Sequence, residues 1–257
     1  MTVLNSSIFQ KYYENTAFID RYDSNAEDAV DVIVPVIHTN ELWRANLLSF
    51  YREIPIHRLL IGDGGCIDNS LEIVKEFPRV QILDHRSYKS LGYSIRKLIE
   101  AVETDFFIYL HSDVFLPAGW FDNMQQYQDK YDWFECRQRM TVLIEYDLDD
   151  YANRALSGSQ MGRRRAFDEI LGKIDDDFLY RNEDIIFASL INANEKKYGR
   201  VEEMFHYHQV MYKQSAWTRK VKSISFALEV DRQEEVRAAM MQVKGLVKYL
   251  VPDVRYV

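Results

Sequence analysis

FFIYLHSDVFLPAGW, residues 106–120, opens on five apolar or aromatic residues and breaks at once into a histidine, a serine and an aspartate ahead of a proline and glycine turn. A short, continuously apolar run predicts a strand buried on both faces, and polar groups at its carboxyl end predict a loop that meets a ligand. Working outward, FFIYLH (106–111) is the fourth segment of this form, after DVIVPVI (31–37), RLLIG (58–62) and VQIL (80–83). Segments 40–53, 68–77 and 90–103 lie between them with amphipathic spacing and predict crossover helices. The alternation predicts βαβ units, hence an α/β three-layer α/β/α sandwich with a mainly parallel central sheet.

Beyond residue 120 the rhythm loosens. Strands are expected near 132–137 and 140–146, then a polar, flexible stretch DLDDYANRALSGSQMGRRR (147–165) of the kind that binds acceptors. Ile186, Phe187, Leu190, Ile191 and Ala193 gather on one face and predict a helix from Asn182 to Lys197 that ends in a loop at Gly199. EEMFHYHQVM (202–211) reads as a strand on which His206 and His208 share a face. From 215 the chain is helical in character: Asp231 and Glu234 resemble a capping box, and Val236, Met240, Val243, Leu246, Val247 and Leu250 form a stripe that stops before Pro252. The stripe suits a partner helix, in this chain or in a second copy. The organisation expected is therefore an extension (1–30), one α/β domain (31–209) and a helical tail (210–257).

With 257 residues and 47% hydrophobic content the chain can bury a large core. Forty acidic against 32 basic residues, net charge -8, argue against nucleic acid as a partner. Cys66 and Cys136, with no CxxC or zinc-ligand spacing, fit a reducing compartment. No apolar stretch approaches the ~20 residues that span a bilayer, so the expected location is the cytoplasm, extending to the inner face of the membrane.

The chemistry-bearing residues collect at one edge of the predicted sheet. The first strand ends toward His38, Thr39, Asn40 and Glu41, the second in GDGGCIDNS (62–70), and the fourth in His111, Ser112 and Asp113. Gly64 and Gly65 allow a tight turn beside Asp63, leaving a carboxylate for a base or ribose, although a DGG turn is also common as a plain connection. Neither GxGxxG nor GxxxxGK[ST] is present. His111 and Asp113, two apart, project to the same side if the strand continues through them, while Ser112 faces away. Such a pair can hold a divalent cation, manganese in preference to magnesium because imidazole is a poor magnesium ligand, although taken alone it also reads as a capped strand-end histidine and an aspartate that starts a turn before Pro117. In RNEDIIFASL (181–190), Glu183 and Asp184 occupy the first turn of a helix with Asn182 as N-cap, where acidic residues are favoured by the helix dipole alone. The preceding DDDFLY adds the prospect of a carboxylate placed to take a proton.

Taken in order, DVIVPVIHTNE, GDGGCIDNS, YLHSDVFLPAGW, GRRRAFDEILGKIDDDFLYRNEDIIFASL and FHYHQ resemble glycosyltransferase family 2, the nucleotide-sugar-dependent transferases of the GT-A fold, over roughly 31–209. The resemblance implies a nucleotide-diphospho-sugar donor and a glycan, lipid or small-molecule acceptor. It implies that Asp63 contacts the base, that Asp113 binds a metal bridging the diphosphate, and that Asp184 is the general base with Glu183 supporting the acceptor. His206 or His208 matches a histidine that completes the metal site. His111 departs from the family pattern, where aspartate is usual. The candidate donor-binding set is Thr39, Asp63, Gly64, Arg96, Ser112 and Asp113; the candidate metal set is His111, Asp113, His206 and His208. Arg96 also reads as part of a solvated helix face, and Arg163 to Arg165 as an exposed charge run. A non-catalytic GT-A module acting through partners is the alternative. A nucleotidylyltransferase is disfavoured because no GxGTRxxP-like loop follows the first strand.

Overall fold

The computed structural model describes residues 17–24, 28–37, 39, 43–66, 68–88, 90–142, 158–174 and 183–210. The elements are β1 (Val30–Val36), α1 (Trp43–Glu53), β2 (Ile56–Asp63), α2 (Ser70–Val74), β3 (Val80–Asp84), α3 (Leu91–Glu100), β4 (Phe106–Leu110), β5 (Val114–Phe115), α4 (Trp120–Gln125), β6 (Trp133–Val142), β7 (Ser159–Arg163), α5 (Glu183–Ala193) and β8 (Tyr198–Val210). Among the described residues the strands form one sheet in the order β3-β2-β1-β4-β7-β6-β8-β5.

The four early strands are parallel neighbours, as their apolar runs predict. Val32, Val34 and Val36 of β1 enter a core with Trp43, Leu47, Phe50 and Tyr51 of α1 and Trp120, Phe121 and Met124 of α4. Ile33 and Leu60 enter a second core with Ile95, Leu98 and Ile99 of α3 and Phe187, Leu190 and Ile191 of α5. Because both faces are covered, no residue of β1 needs to be polar, which explains why its sequence does not alternate.

The second half departs from a mainly parallel sheet. β7 runs antiparallel to both β4 and β6, and β5 antiparallel to β8, so the sheet is mixed. The departure comes from SQMGR, which lies inside the stretch expected to be a flexible loop and is instead a buried strand at the middle of the sheet. The glycine in this strand has a packing reason. A Cβ on Gly162 would sit 2.5 Å from the Trp133 ring and 3.0 Å from Phe107, so two aromatic side chains fill the place that an apolar residue would take. Arg163 is not part of a solvated run: it pairs with Asp105 at 3.0 Å and lies over the Phe106 ring.

Three other expectations are corrected. The strands expected at 132–137 and 140–146 are one strand as far as Val142, and 143–146 lie outside the described residues. Gly199 is not in a loop but in β8, where the Tyr131 ring lies 2.2 Å from the position of a Cβ. The helix expected at 182–197 spans Glu183–Ala193. The proposed helical tail lies outside the described residues, as do Asn182 and DDDFLY. No helix among the described residues is long and apolar enough to cross a membrane.

The first 30 residues look uninformative as sequence, yet 17–22 pack against α1. Phe18 meets the rings of Tyr51 and Phe77, the Arg21 amide donates to Tyr51 O at 3.0 Å, and the Arg21 guanidinium reaches Glu53 O and Asp122. At the amino ends of the strands, buried Asp31 accepts from Arg58, from His57 at 2.9 Å and from the Glu103 amide at 2.8 Å. Burial opposes its charge, and these bonds, Arg58 foremost, hold its pKa below the ordinary value. That cluster is at the opposite edge of the sheet from the site described next.

Candidate active site

β4 ends at Leu110, so His111, Ser112 and Asp113 lie in the turn to β5 rather than in an extended strand. Strand periodicity therefore does not aim His111 and Asp113; the turn and the pairing of β5 do. The His111 amide donates to Gly158 O at 2.8 Å, and Val114 pairs with His208 of β8. That pairing sets Asp113 Oδ2 3.3 Å from His208 Nε2. One ligand atom from each of His111, Asp113 and His208 falls within 4.8 Å of the others, a group fit for one metal ion. The Tyr109 hydroxyl lies 2.7 Å from His111 Nε2 and fixes the ring, as partners behind a metal-ligating histidine commonly do.

A bulge in β8 decides which face its histidines occupy. Val201 pairs with Cys136 while Phe205 pairs with Arg137, so Glu202, Glu203 and Met204 are set out of the ladder. In an unbroken strand the residues sharing the face of Val201 would be the odd-numbered ones. An odd number of inserted residues reverses that parity and carries Met204, His206 and His208 onto the face of Val201 and Cys136. His206 then lies fully buried, with Nδ1 2.8 Å from Ser159 Oγ and 3.6 Å from Cys136 Sγ. It stands behind His208, with ring centroids 5.9 Å apart, and outside the three-residue group.

The electrostatics suit a cation. Burial raises the pKa of Asp113, but His208 and then His111 outweigh it and hold the carboxyl below the usual carboxylate range. Burial lowers His208, and Asp113 outweighs that, so its pKa is raised. Burial pushes His111 down to about 4 against the pull of Asp113, leaving a neutral imidazole at pH 7. Burial likewise holds His206 well below its ordinary value. The Asp113 side chain is 37% exposed and that of His208 18%, so the group opens to solvent on the carboxylate side. Burial pushes the Cys136 thiol up to about 12, which removes it as a nucleophile near neutral pH.

The other expected site residues divide between the site edge and the scaffold. Asp63 ends β2 at the same edge of the parallel sheet, and its Oδ1 accepts from the amides of Gly65 at 2.9 Å and Cys66 at 2.8 Å. Those bonds overcome its burial and lower its pKa. The Gly64 amide donates to Val36 O at 2.8 Å, and Gly65 has φ of 99°, so the glycine pair is used by the turn itself. Thr39 is buried, its hydroxyl 2.8 Å from Ser70 Oγ. Arg96 pairs with Glu100 at 2.8 Å and bonds Ile174 O, so α3 commits it within the fold. Ser112 presents its carbonyl to Asn46 Nδ2 at 2.8 Å. Glu183 and Asp184 begin α5 as expected.

Sequence reasoning passed over Tyr109, Gly158 and Asn46. Tyr109 reads as one more strand aromatic. Asn46 carried a weak signal, a polar residue on the stripe of α1 that holds Trp43, Leu47 and Phe50. Gly158 sits in a polar stretch, but a Cβ there would come 2.9 Å from His111 Nδ1 and 3.1 Å from His208 Nδ1. Gly158→Ala is expected to keep the fold and to weaken Mn2+ binding about 10- to 100-fold, measured by titrating the metal with the protein, because both imidazoles must shift.

Several solved structures share this architecture. GalNAc-T7 with UDP, GalNAc and Mn2+ superposes with a TM-score of 0.58 at 13% identity, over 76% of this chain and 46% of that one. The Pyrobaculum calidifontis mannosyltransferase PcManGT with GDP-Man and Mn2+ gives 0.54 at 13% identity, over 78% and 64%. S. aureus TarS 1-349 with UDP-GlcNAc gives 0.53 at 14% identity, over 72% and 59%. The chain thus spans less than two thirds of each of these structures, and the likeness is one of fold, the GT-A fold. No curated protein matches the chain in sequence. The model of glycosyl transferase family 2 does match, over residues 31–186, which is more than half of the sequence and contains β1 through the start of α5, and the chain belongs to that family.

Proposed function

We propose that this protein is a metal-dependent glycosyltransferase that moves a sugar from a nucleotide-diphospho-sugar to a hydroxyl of a glycan, lipid or small molecule, with inversion. The observation that carries the reading is the convergence of His111, Asp113 and His208 within 4.8 Å at the sheet edge where Asp63 also ends its strand. In open α/β sheets that edge is where ligands bind. Two nitrogen donors and one carboxylate favour Mn2+ over Mg2+. A divalent cation held there supplies Lewis-acid stabilisation of the charge that develops on the departing diphosphate.

The chain's own residues do the rest. Asp113 would contribute the one anionic ligand, and His111 and His208 would each contribute an imidazole nitrogen. Asp63, held by the turn amides, contacts the base or ribose. Asp184, in the first turn of α5, takes the proton from the acceptor hydroxyl, and Glu183 supports the acceptor. The two free thiols, Cys66 and Cys136, support a cytoplasmic site of action.

Incubation with a panel of nucleotide sugars and Mn2+ is expected to release nucleoside diphosphate, slowly by hydrolysis when no acceptor is present and faster with the acceptor. Chelation should stop the release. Tight metal-dependent nucleotide binding with no turnover across the panel would identify a non-catalytic module instead.

A further inference from the structure

We propose that α1 is the positioning element of the loop that carries Asp113, with Asn46 as its principal residue; this rests on reading His111, Asp113 and His208 as the cation group. Asn46, Ser49 and Glu53 are spaced three and four apart and form one stripe of the helix. They are 0%, 0% and 4% exposed, among the apolar residues that hold α1 on the sheet. Polar groups at such positions are unfavourable unless they are bonded. Each of the three is bonded to the backbone of the same loop.

Asn46 Nδ2 donates to Ser112 O at 2.8 Å, and Ser49 Oγ accepts from the Leu116 amide at 3.1 Å while donating to Asn46 O at 2.7 Å. Glu53 Oε2 accepts from the Gly119 amide at 2.7 Å. Arg52, paired with Glu53 at 2.7 Å, adds a bond to Leu116 O at 3.3 Å. One helix therefore fixes backbone groups at residues 112, 116 and 119, a segment whose own regular structure is the two-residue β5.

The bond to Ser112 O has the most direct effect on the site. That carbonyl belongs to the same planar peptide as the Asp113 amide, so holding the oxygen restricts rotation of the plane and with it the aim of the Asp113 side chain. Arg21 closes the arrangement from outside. It donates to Glu53 O at 3.0 Å and pairs with Asp122 on α4, joining the end of α1 to the helix that follows the loop. The stripe is thus a template on which the cation loop is laid.

The test compares Asn46→Leu, which keeps volume and removes the donor, with wild type and with Ser90→Ala. The latter removes the N-cap bond to the Tyr93 amide of α3 and so controls for general destabilisation. Mn2+ affinity of the protein without donor is read by electron paramagnetic resonance of free Mn2+, and the loop by amide hydrogen exchange over 113–119. Asn46→Leu should weaken Mn2+ binding about tenfold and speed exchange in the loop while β1 and β4 stay protected; Ser90→Ala should change neither. Ser49→Ala provides the same test at Leu116 if Asn46→Leu does not fold. Wild-type Mn2+ affinity and loop exchange in these variants would overturn the proposal. Asp113→Asn run alongside separates the two readings: if it leaves Mn2+ affinity intact the cation assignment fails, and loop exchange in Asn46→Leu still decides the role of α1.

Discussion

Asp113→Asn is expected to lower Mn2+-supported release of nucleoside diphosphate on the order of 10³-fold, about 4 kcal/mol of transition-state stabilisation. The change is nearly isosteric, and the bonds from the turn to Gly158 O, Asn46, Ser49 and Glu53 do not involve the Asp113 carboxylate, so the fold should survive. What it removes is the single anion of the group. His111 and His208 are left as two neutral donors, and His208 loses the partner that raises its pKa. A Mn2+ titration of the variant should show the affinity collapsing together with the rate. Full activity in Asp113→Asn would remove the cation site from the mechanism.

Asp184→Asn should behave differently. A general base contributes roughly 10²- to 10⁴-fold, and its loss should fall on transfer to a hydroxyl acceptor while Mn2+ and nucleotide affinities stay near wild type. The contrast matters more than either number. The first variant should weaken the metal and all donor chemistry; the second should leave the donor bound and stop proton removal from the acceptor. Retention of full transfer by Asp184→Asn would reassign the base.

The parallel half of the fold is legible because it is written locally. β1 to β4 are apolar runs of strand length, and α1 and α3 carry helical spacing, so each element can be read without knowing its neighbours. The loops that end β2 and β4 follow from those strands, which is why Asp63 and Asp113 emerge together as candidates. β7 is not legible in the same way. SQMGR is a central strand because Trp133 and Phe107 cover Gly162, and neither ring is near it in sequence.

His206 and His208 mark the boundary most clearly. The sequence by itself determined that two histidines share one face of a late strand, that His111 and Asp113 follow the fourth strand, and that an acidic pair opens a helix. Only the tertiary structure decided that His208 joins His111 and Asp113 while His206 turns to Ser159 and Cys136. The physical reason is that side-chain direction along a strand has period two, whereas the face it meets is set by register. Register here depends on a three-residue bulge and on the pairing of Val114 with His208, contacts between segments far apart in the chain.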